Sequence, residues 1–149
     1  MFSGNGRGPL GILPYVLCVY LTVLGCESFE NQRDQFFTQG NEAIEAKSYE
    51  TAIFLYTKAI KIDSDDAESI NNRGVAKREL GRVYEAIQDY NEALLIDNDF
   101  WDCLHNRAMA YQETGNWTKS IRDYDLLIAH HDTSIYNEAK APIFTESKQ

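Results

Sequence analysis

Cysteine is scarce in this sequence of 149 residues, and it is placed where it cannot build a disulfide framework. Two of the three cysteines, Cys18 and Cys26, lie near the N-terminus, and only Cys103 lies further along the chain. Metal-ligand spacings of the CxxC or HExxH kind are absent. The sequence therefore predicts no disulfide-stapled fold, no metal site and no cofactor.

Positive charge is also in short supply. The chain has 14 lysines and arginines against 23 aspartates and glutamates, which gives a formal net charge of -9. Such a surface repels the phosphate backbone, and the sequence has no basic patch with interleaved aromatic residues. We therefore predict that the protein has no nucleic-acid partner.

A catalytic set is missing as well. The histidines are His105, His130 and His131. Cys103 and His105 are two positions apart, so they point to different sides of a helix, which disfavours a nucleophile and base pair. There is no phosphate-binding glycine loop. The sequence predicts that the protein is not an enzyme.

What the sequence does contain is a pattern that recurs every 34 residues. In its central copy the pattern is formed by Ile70, Gly74, Ala86, Tyr90 and Ala93. The corresponding residues are Phe36, Gly40, Ala52, Tyr56 and Ala59 in the preceding copy, and Leu104, Ala108, Ser120, Tyr124 and Leu127 in the following copy. This spacing resembles the tetratricopeptide repeat (TPR), a helix-turn-helix unit.

The resemblance implies an all-α fold of three stacked TPR helix-turn-helix repeats, an α-solenoid, with a short C-terminal capping helix. The expected repeats are residues 33–66, 67–100 and 101–134, and the capping helix and tail follow at 135–149. The helical period predicts helices over residues 33–46, 49–62, 67–80, 83–96, 101–114 and 117–130.

Small residues and polar caps are expected to define these helices. Ala86 should lie between packed helices, so leucine there would overpack them, whereas Ala76 should tolerate leucine. Side chains that can accept hydrogen bonds from helix N-termini stand just before four of the predicted helices: Ser48, Asp66, Asp99 and Asn116.

The N-terminus has the layout of a signal peptide. Arg7 precedes an apolar run over residues 10–24, and the segment ends in Val-Leu-Gly-Cys at Cys26. This ending resembles the lipobox of bacterial lipoproteins. The resemblance implies a signal peptide over residues 1–25, a lipid on Cys26 and a short tether over residues 26–32.

Two alternatives for the N-terminus stay open. Residues 8–26 carry no charge and are just long enough to span a bilayer as an uncleaved anchor. An ordinary cleaved signal peptide is the other alternative. The lipoprotein interpretation predicts a lipid-anchored protein of the bacterial cell envelope, in either the inner or the outer membrane.

In proteins that resemble this one, the first helices of successive repeats line a concave groove that holds a peptide or a partner's helix. The matching groove residues are Phe37, Asn41, Ile44, Asn71, Val75, Arg78, His105, Met109 and Gln112. An acidic border is expected from Glu45, Glu79 and Glu113. The partner should then present an apolar segment flanked by basic residues.

One binding mode of TPR domains is disfavoured. Some of them hold a C-terminal acidic peptide through a two-carboxylate clamp of Lys, Asn, Asn, Lys and Arg. The matching residues here are Phe37, Asn41, Asn72, Asp102 and Asn106. Both asparagines match, but all three cations are missing, so the sequence predicts that this clamp is absent.

The function expected from the sequence is that of a membrane-anchored lipoprotein that acts as a protein-binding adaptor or assembly scaffold. The alternative is a structural protein that self-associates through its terminal repeat faces. Loss of a second protein's localisation on deletion would favour the adaptor. A concentration-dependent oligomer without a co-purifying partner would favour the structural role.

Overall fold

The computed structural model describes residues 31–130, and within that range the backbone forms six helices and no strand. The helices are α1 over residues 31–45, α2 at Tyr49–Ile62, α3 at Ala67–Glu79, α4 at Val83–Ile96, α5 at Trp101–Glu113 and α6 at Trp117–His130. The predicted helices agree with these bounds to within two residues. The predicted all-α fold is confirmed.

The start of α1 corrects one prediction. Asn31 and Gln32 were assigned to the tether, but both are helical. No proline or glycine separates them from Arg33, so the helix has no local reason to begin later. The signal peptide, Cys26 and the C-terminal capping helix lie outside the described residues. None of the helices within residues 31–130 is long and apolar enough to cross a membrane.

The helices pack in chain order, each against the next. α3 packs against α4 and α5 against α6, and the contacts between α2 and α3 and between α4 and α5 join these pairs into a stack. α1 packs on α2 through a cluster that includes Ala43, Ala52 and Tyr56. The first helices of successive pairs are α1, α3 and α5, and contacts between α3 and α5 show that these first helices adjoin.

Glycine and tyrosine set the closest approach between the helices of a pair. A methyl group on Gly40 would lie 2.6 Å from Cε1 of Tyr56, and one on Gly74 would lie 2.7 Å from Cε1 of Tyr90. Both distances are shorter than carbon atoms tolerate, so a larger residue at either glycine would force the tyrosine ring to shift. In the third pair Ala108 packs against Tyr124 instead. The 34-residue spacing of the small residue and the tyrosine is thus a packing requirement.

The turns within the pairs share one backbone conformation. Gly81 and Gly115 have φ angles of 75° and 72°, and Lys47 takes the same place in the first pair with a φ of 55°. Glycine adopts this left-handed region without steric cost, whereas lysine does not. The residue that follows donates its N–H back into the preceding helix, in the pairs Ser48 to Ala43, Arg82 to Lys77 and Asn116 to Tyr111.

Helix capping follows the prediction at Asp66 but not at Ser48 or Asp99. Asp66 Oδ1 accepts a hydrogen bond of 3.0 Å from the N–H of Ser69 at the start of α3. Ser48 makes no side-chain cap, and Phe100 rather than Asp99 precedes α5. The amide of Asn116 donates to the hydroxyl of Thr114. The left-handed turn at Lys47 already fixes the entry of the chain into α2, which begins without a side-chain cap.

Ala86→Leu should destabilise the repeats by about 1 to 3 kcal/mol, because a larger side chain overpacks a filled core. Ala86 has no exposed surface and lies in a cluster with Ile70 and Tyr90. The expectation that Ala76 tolerates leucine is wrong, since Ala76 is equally buried between the first two pairs. Chemical denaturation of Ala86→Leu against the exposed control Gln88→Leu would measure the effect. Equal stability of the two variants would contradict the packing described here.

Candidate functional site

Part of the predicted groove forms a concavity between α1 and α3. It has a volume of about 200 Å³. Its lining residues are Asn41, Ile44, Glu45, Tyr56, Asn72 and Val75. The structure thus brings together four residues that the sequence assigned to the groove and its border. Asn72 had been named only for the clamp, and Tyr56 only for the core.

A chain of side-chain hydrogen bonds runs across the floor of the groove. Asn106 Nδ2 donates to Asn71 Oδ1 at 3.1 Å, and Asn71 Nδ2 donates to Asn72 Oδ1 at 3.0 Å. Asn72 Nδ2 then donates to Asn41 Oδ1 at 3.3 Å, and the hydroxyl of Tyr56 donates to the same oxygen at 2.6 Å. This amide chain connects α5, α3 and α1, so all three pairs contribute to one polar surface.

The amide chain retains unused hydrogen-bonding capacity. Each asparagine side chain carries two N–H donors and one oxygen with two acceptor sites, and the hydrogen bonds of the amide chain use only part of them. Asn41, Asn72 and Asn106 are partly exposed, whereas Asn71 is buried. Partly exposed amides at this spacing can pair with the main chain of an extended peptide, whatever the side chains of that peptide are.

The acidic border is partly neutralised by Arg78. Its guanidinium lies 3.5 Å from a carboxylate oxygen of Glu79 and 3.6 Å from one of Glu113, and it also reaches the sulfur of Met109 at 3.8 Å. Glu45 makes no ion pair within residues 31–130. Of the three predicted border residues, Glu45 therefore presents the least compensated charge.

Three further groove residues are half-buried on α1 and α5. The ring of Phe37 packs on Tyr56 with 6.0 Å between centroids, so part of Phe37 belongs to the core. His105 stands edge-on to Tyr124 at 6.0 Å. Burial, and secondarily the charge of Arg78, lower the pKa of His105, so its imidazole is neutral at pH 7. Gln112 lies about two turns further along α5 than His105.

The tyrosine hydroxyls beneath the groove differ between repeats. Burial raises the pKa of Tyr56 to about 12, and its hydroxyl is satisfied by Asn41. Within residues 31–130 the hydroxyl of Tyr90 is buried without a hydrogen-bond partner, because Val75 occupies the position that Asn41 has one repeat earlier. The groove floor is accordingly more polar at the first repeat and more apolar at the second.

Two buried ion pairs were not predicted from the sequence. Asp89 accepts from Arg73 at 2.8 and 3.0 Å and contacts the ammonium of Lys77 at 2.7 Å. One repeat later, Asp123 accepts two bonds of 2.8 Å from Arg107. The signal was present in the sequence, because both the arginines and the aspartates recur at the 34-residue period.

The cysteine within residues 31–130 is not reactive. Cys103 is buried, its thiol donates to the carbonyl of Tyr90 at 3.5 Å, and burial raises its pKa to about 12. A thiol that stays protonated is a poor nucleophile. Among residues 31–130 no cluster of three or more histidine, cysteine, aspartate or glutamate side chains could hold a metal ion.

Two family models described as tetratricopeptide repeat match this chain, one at residues 36–66 and one at residues 55–88. The chain contains tetratricopeptide repeats. The matched residues span α1 to α4, and α5 with α6 forms a third helix pair of the same kind in the structure.

Curated relatives share a short segment with the chain. The Hsp70-Hsp90 organizing protein of Triticum aestivum is 40% identical over 50 residues, which are 34% of this chain and 9% of that protein. Anaphase-promoting complex subunit 7 of Homo sapiens is 33% identical over 67 residues, which are 43% of this chain and 12% of that protein. The chain thus matches about a tenth of the length of these relatives.

Solved structures show the same fold over most of the chain. The Arabidopsis OM64 TPR domain superposes with a TM-score of 0.75 at 23% identity, over 79% of this chain and 98% of that domain. The first TPR domain of Spaghetti (RPAP3), bound to the HSP90 peptide SRMEEVD, superposes with a TM-score of 0.76 at 18% identity, over 80% of this chain and 95% of that one. The stacked three-repeat fold is therefore that of TPR solenoid domains.

Proposed function

We propose that the protein is a non-catalytic adaptor that binds an extended segment of a partner protein in the groove. The observation that carries the proposal is the amide chain from Asn106 to Asn41, which offers hydrogen bonds across three repeats. The concavity beside this chain adds the apolar side chains of Ile44 and Val75. Peptide binding by the Spaghetti TPR domain supports this proposal.

The charge of the groove distinguishes the proposed partner from an acidic peptide. Where a clamp would place cations, this chain has Phe37, Asp102 and Asn106, and Glu45 lines the concavity. A carboxylate-rich segment would meet repulsion there, whereas lysine or arginine would meet an uncompensated acid. The proposed partner segment is therefore apolar in its centre and basic at its flanks.

The test of the adaptor function is cross-linked pull-down of the full-length protein from membranes. A specific partner that is captured by the wild type, and lost when the groove floor is removed, would support the proposal. The groove variant suited to this comparison is Phe37→Ala with Met109→Ala. A concentration-dependent oligomer of the chain with no co-purifying partner would favour the structural, self-associating role instead.

We propose further, from the N-terminal sequence, that the adaptor is a lipoprotein held in the bacterial cell envelope through Cys26. Its apolar segment and the Val-Leu-Gly-Cys ending support this proposal. A single acyl chain anchors a protein only marginally, and an acidic domain gains nothing from anionic headgroups. Stable anchoring of this chain would therefore need the several acyl chains that a lipoprotein cysteine carries.

Cys26→Ser should release the protein from the membrane fraction or leave it unprocessed. Serine cannot form the thioether to which the lipid is attached, so neither lipidation nor the coupled cleavage would occur. Metabolic labelling with a radioactive fatty acid, together with the intact mass, would measure both steps. The control is Cys18→Ser, which should be labelled like the wild type. An unlabelled, uncleaved wild-type protein in the membrane would refute the lipoprotein proposal and favour the single-span anchor.

A further inference from the structure

A second concavity, of about 340 Å³, opens between α5 and α6. We call it the α5–α6 notch, and it is lined by Arg107, Tyr111, Lys119, Arg122, Asp123 and Leu126. On α5, Arg107 and Tyr111 each stand two positions from Met109. Two positions turn a helix by about 200°, so the notch faces away from the groove.

The charges of the notch do not cancel. Arg107 is paired, because it donates twice to Asp123 and once to Asn91 at 2.9 Å. That pair is neutral, which leaves the charges of Lys119 and Arg122. Neither makes an ion pair with any residue between 31 and 130. A surplus of two positive charges in one concavity stands out in a chain whose net charge is -9.

The remaining side chains of the notch indicate which kind of ligand it can bind. Lys119, Arg122 and Leu126 follow one another at spacings of three and four residues, so they share one face of α6. Leu126 is 48% exposed at the rim, and the ammonium of Lys119 lies 5.3 Å above the ring of Tyr111. The notch thus combines two available cations with an exposed apolar side chain.

A free phosphate group is not the best match for this arrangement. Phosphate sites converge several N–H donors on one point. Here the guanidinium fork of Arg107 is occupied, and the backbone N–H groups of Lys119 and Ser120 are already bonded to the carbonyl of Asn116. Two separate cations beside a leucine are better matched by carboxylate side chains with an apolar neighbour.

We propose that the α5–α6 notch binds an acidic segment of a protein partner, whose carboxylates pair with Lys119 and Arg122 while an adjacent apolar side chain covers Leu126. The charge preference of this site is opposite to that of the groove. The chain would then hold two partner segments at once, a basic one in the groove and an acidic one on the other side of α5. This inference does not depend on what the groove binds.

The experiment measures fluorescence anisotropy of a labelled peptide of alternating glutamate and leucine, titrated with the full-length protein in detergent at low ionic strength. Exposed ion pairs each contribute modestly, so reversing the charge of two of them should weaken binding about tenfold. We expect this loss of binding in the double variant that combines Lys119→Glu with Arg122→Glu. Added salt should weaken the wild type, because exposed charges are screened.

A matched control separates the notch from net charge. Lys58→Glu with Lys61→Glu changes the net charge by the same amount on α2 and should bind like the wild type. Leu126→Ser should also weaken binding without changing charge. Equal losses in the two charge-reversed variants would overturn the proposal, as would no binding by the wild type. Displacement of the peptide by inorganic phosphate, but not by chloride at equal ionic strength, would assign a free-anion site and overturn the peptide assignment.

Discussion

Asp123→Ala should destabilise the repeats by about 3 to 5 kcal/mol, the cost of breaking a buried ion pair by removing one partner. The carboxylate is buried, and both its oxygens accept hydrogen bonds of 2.8 Å from Arg107. After the change, Asn91 is the one hydrogen-bond partner within residues 31–130 that the guanidinium keeps, and only 19% of the Arg107 side chain is exposed to water. Urea denaturation followed by circular dichroism would measure the loss.

Two companion variants make this prediction specific. Removing both charges together, as Arg107→Met with Asp123→Leu, should recover most of the lost stability, because no unpaired charge is left buried. Glu85→Ala breaks an exposed ion pair with Arg82 and should have little effect. If Asp123→Ala and Glu85→Ala were equally stable, the pair at Asp123 would be as solvent-exposed as the one at Glu85.

The fold could be predicted from the sequence because close helix packing constrains residue size. Gly74 must be small since Tyr90 lies over it, and Gly81 must adopt a positive φ to turn the chain. Both requirements recur in each repeat and leave a periodic trace that one sequence can reveal. Lys47 stands where the other two turns have glycine, yet it adopts the same backbone conformation, because the packing of the helices on either side determines the turn.

The site could be predicted less well from the sequence, because it depends on contacts between repeats. Asn72 reaches Asn41 across 31 residues of sequence, and Asn106 reaches Asn71 across 35. Neither distance is the repeat period, so a search at that period alone does not pair these residues. The burial of Ala76 was missed for the same reason, since it packs against the neighbouring repeat rather than within its own.

Phe37→Ala with Met109→Ala should abolish binding of the partner segment while the helices stay folded. Apolar burial contributes about 25 cal/mol per Å², so the two largest apolar side chains of the predicted floor should supply most of the affinity. Phe37 also packs on Tyr56, so some loss of stability will accompany the loss of binding. Titration with the segment captured by cross-linking, at a temperature where circular dichroism shows an unchanged helix content, separates the two effects.

The matched control removes two exposed apolar side chains from α4, as Tyr84→Ala with Leu95→Ala. These residues are 71% and 87% exposed, so their removal should leave both stability and groove binding unchanged. The control also tests the competing site, because it removes apolar surface from a second helix instead of from the groove. If the α4 variant lost the partner while the folded Phe37→Ala, Met109→Ala variant kept it, binding would lie on the face formed by the second helices. The groove would then be a packing surface, and its amide chain would serve to hold neighbouring repeats in register.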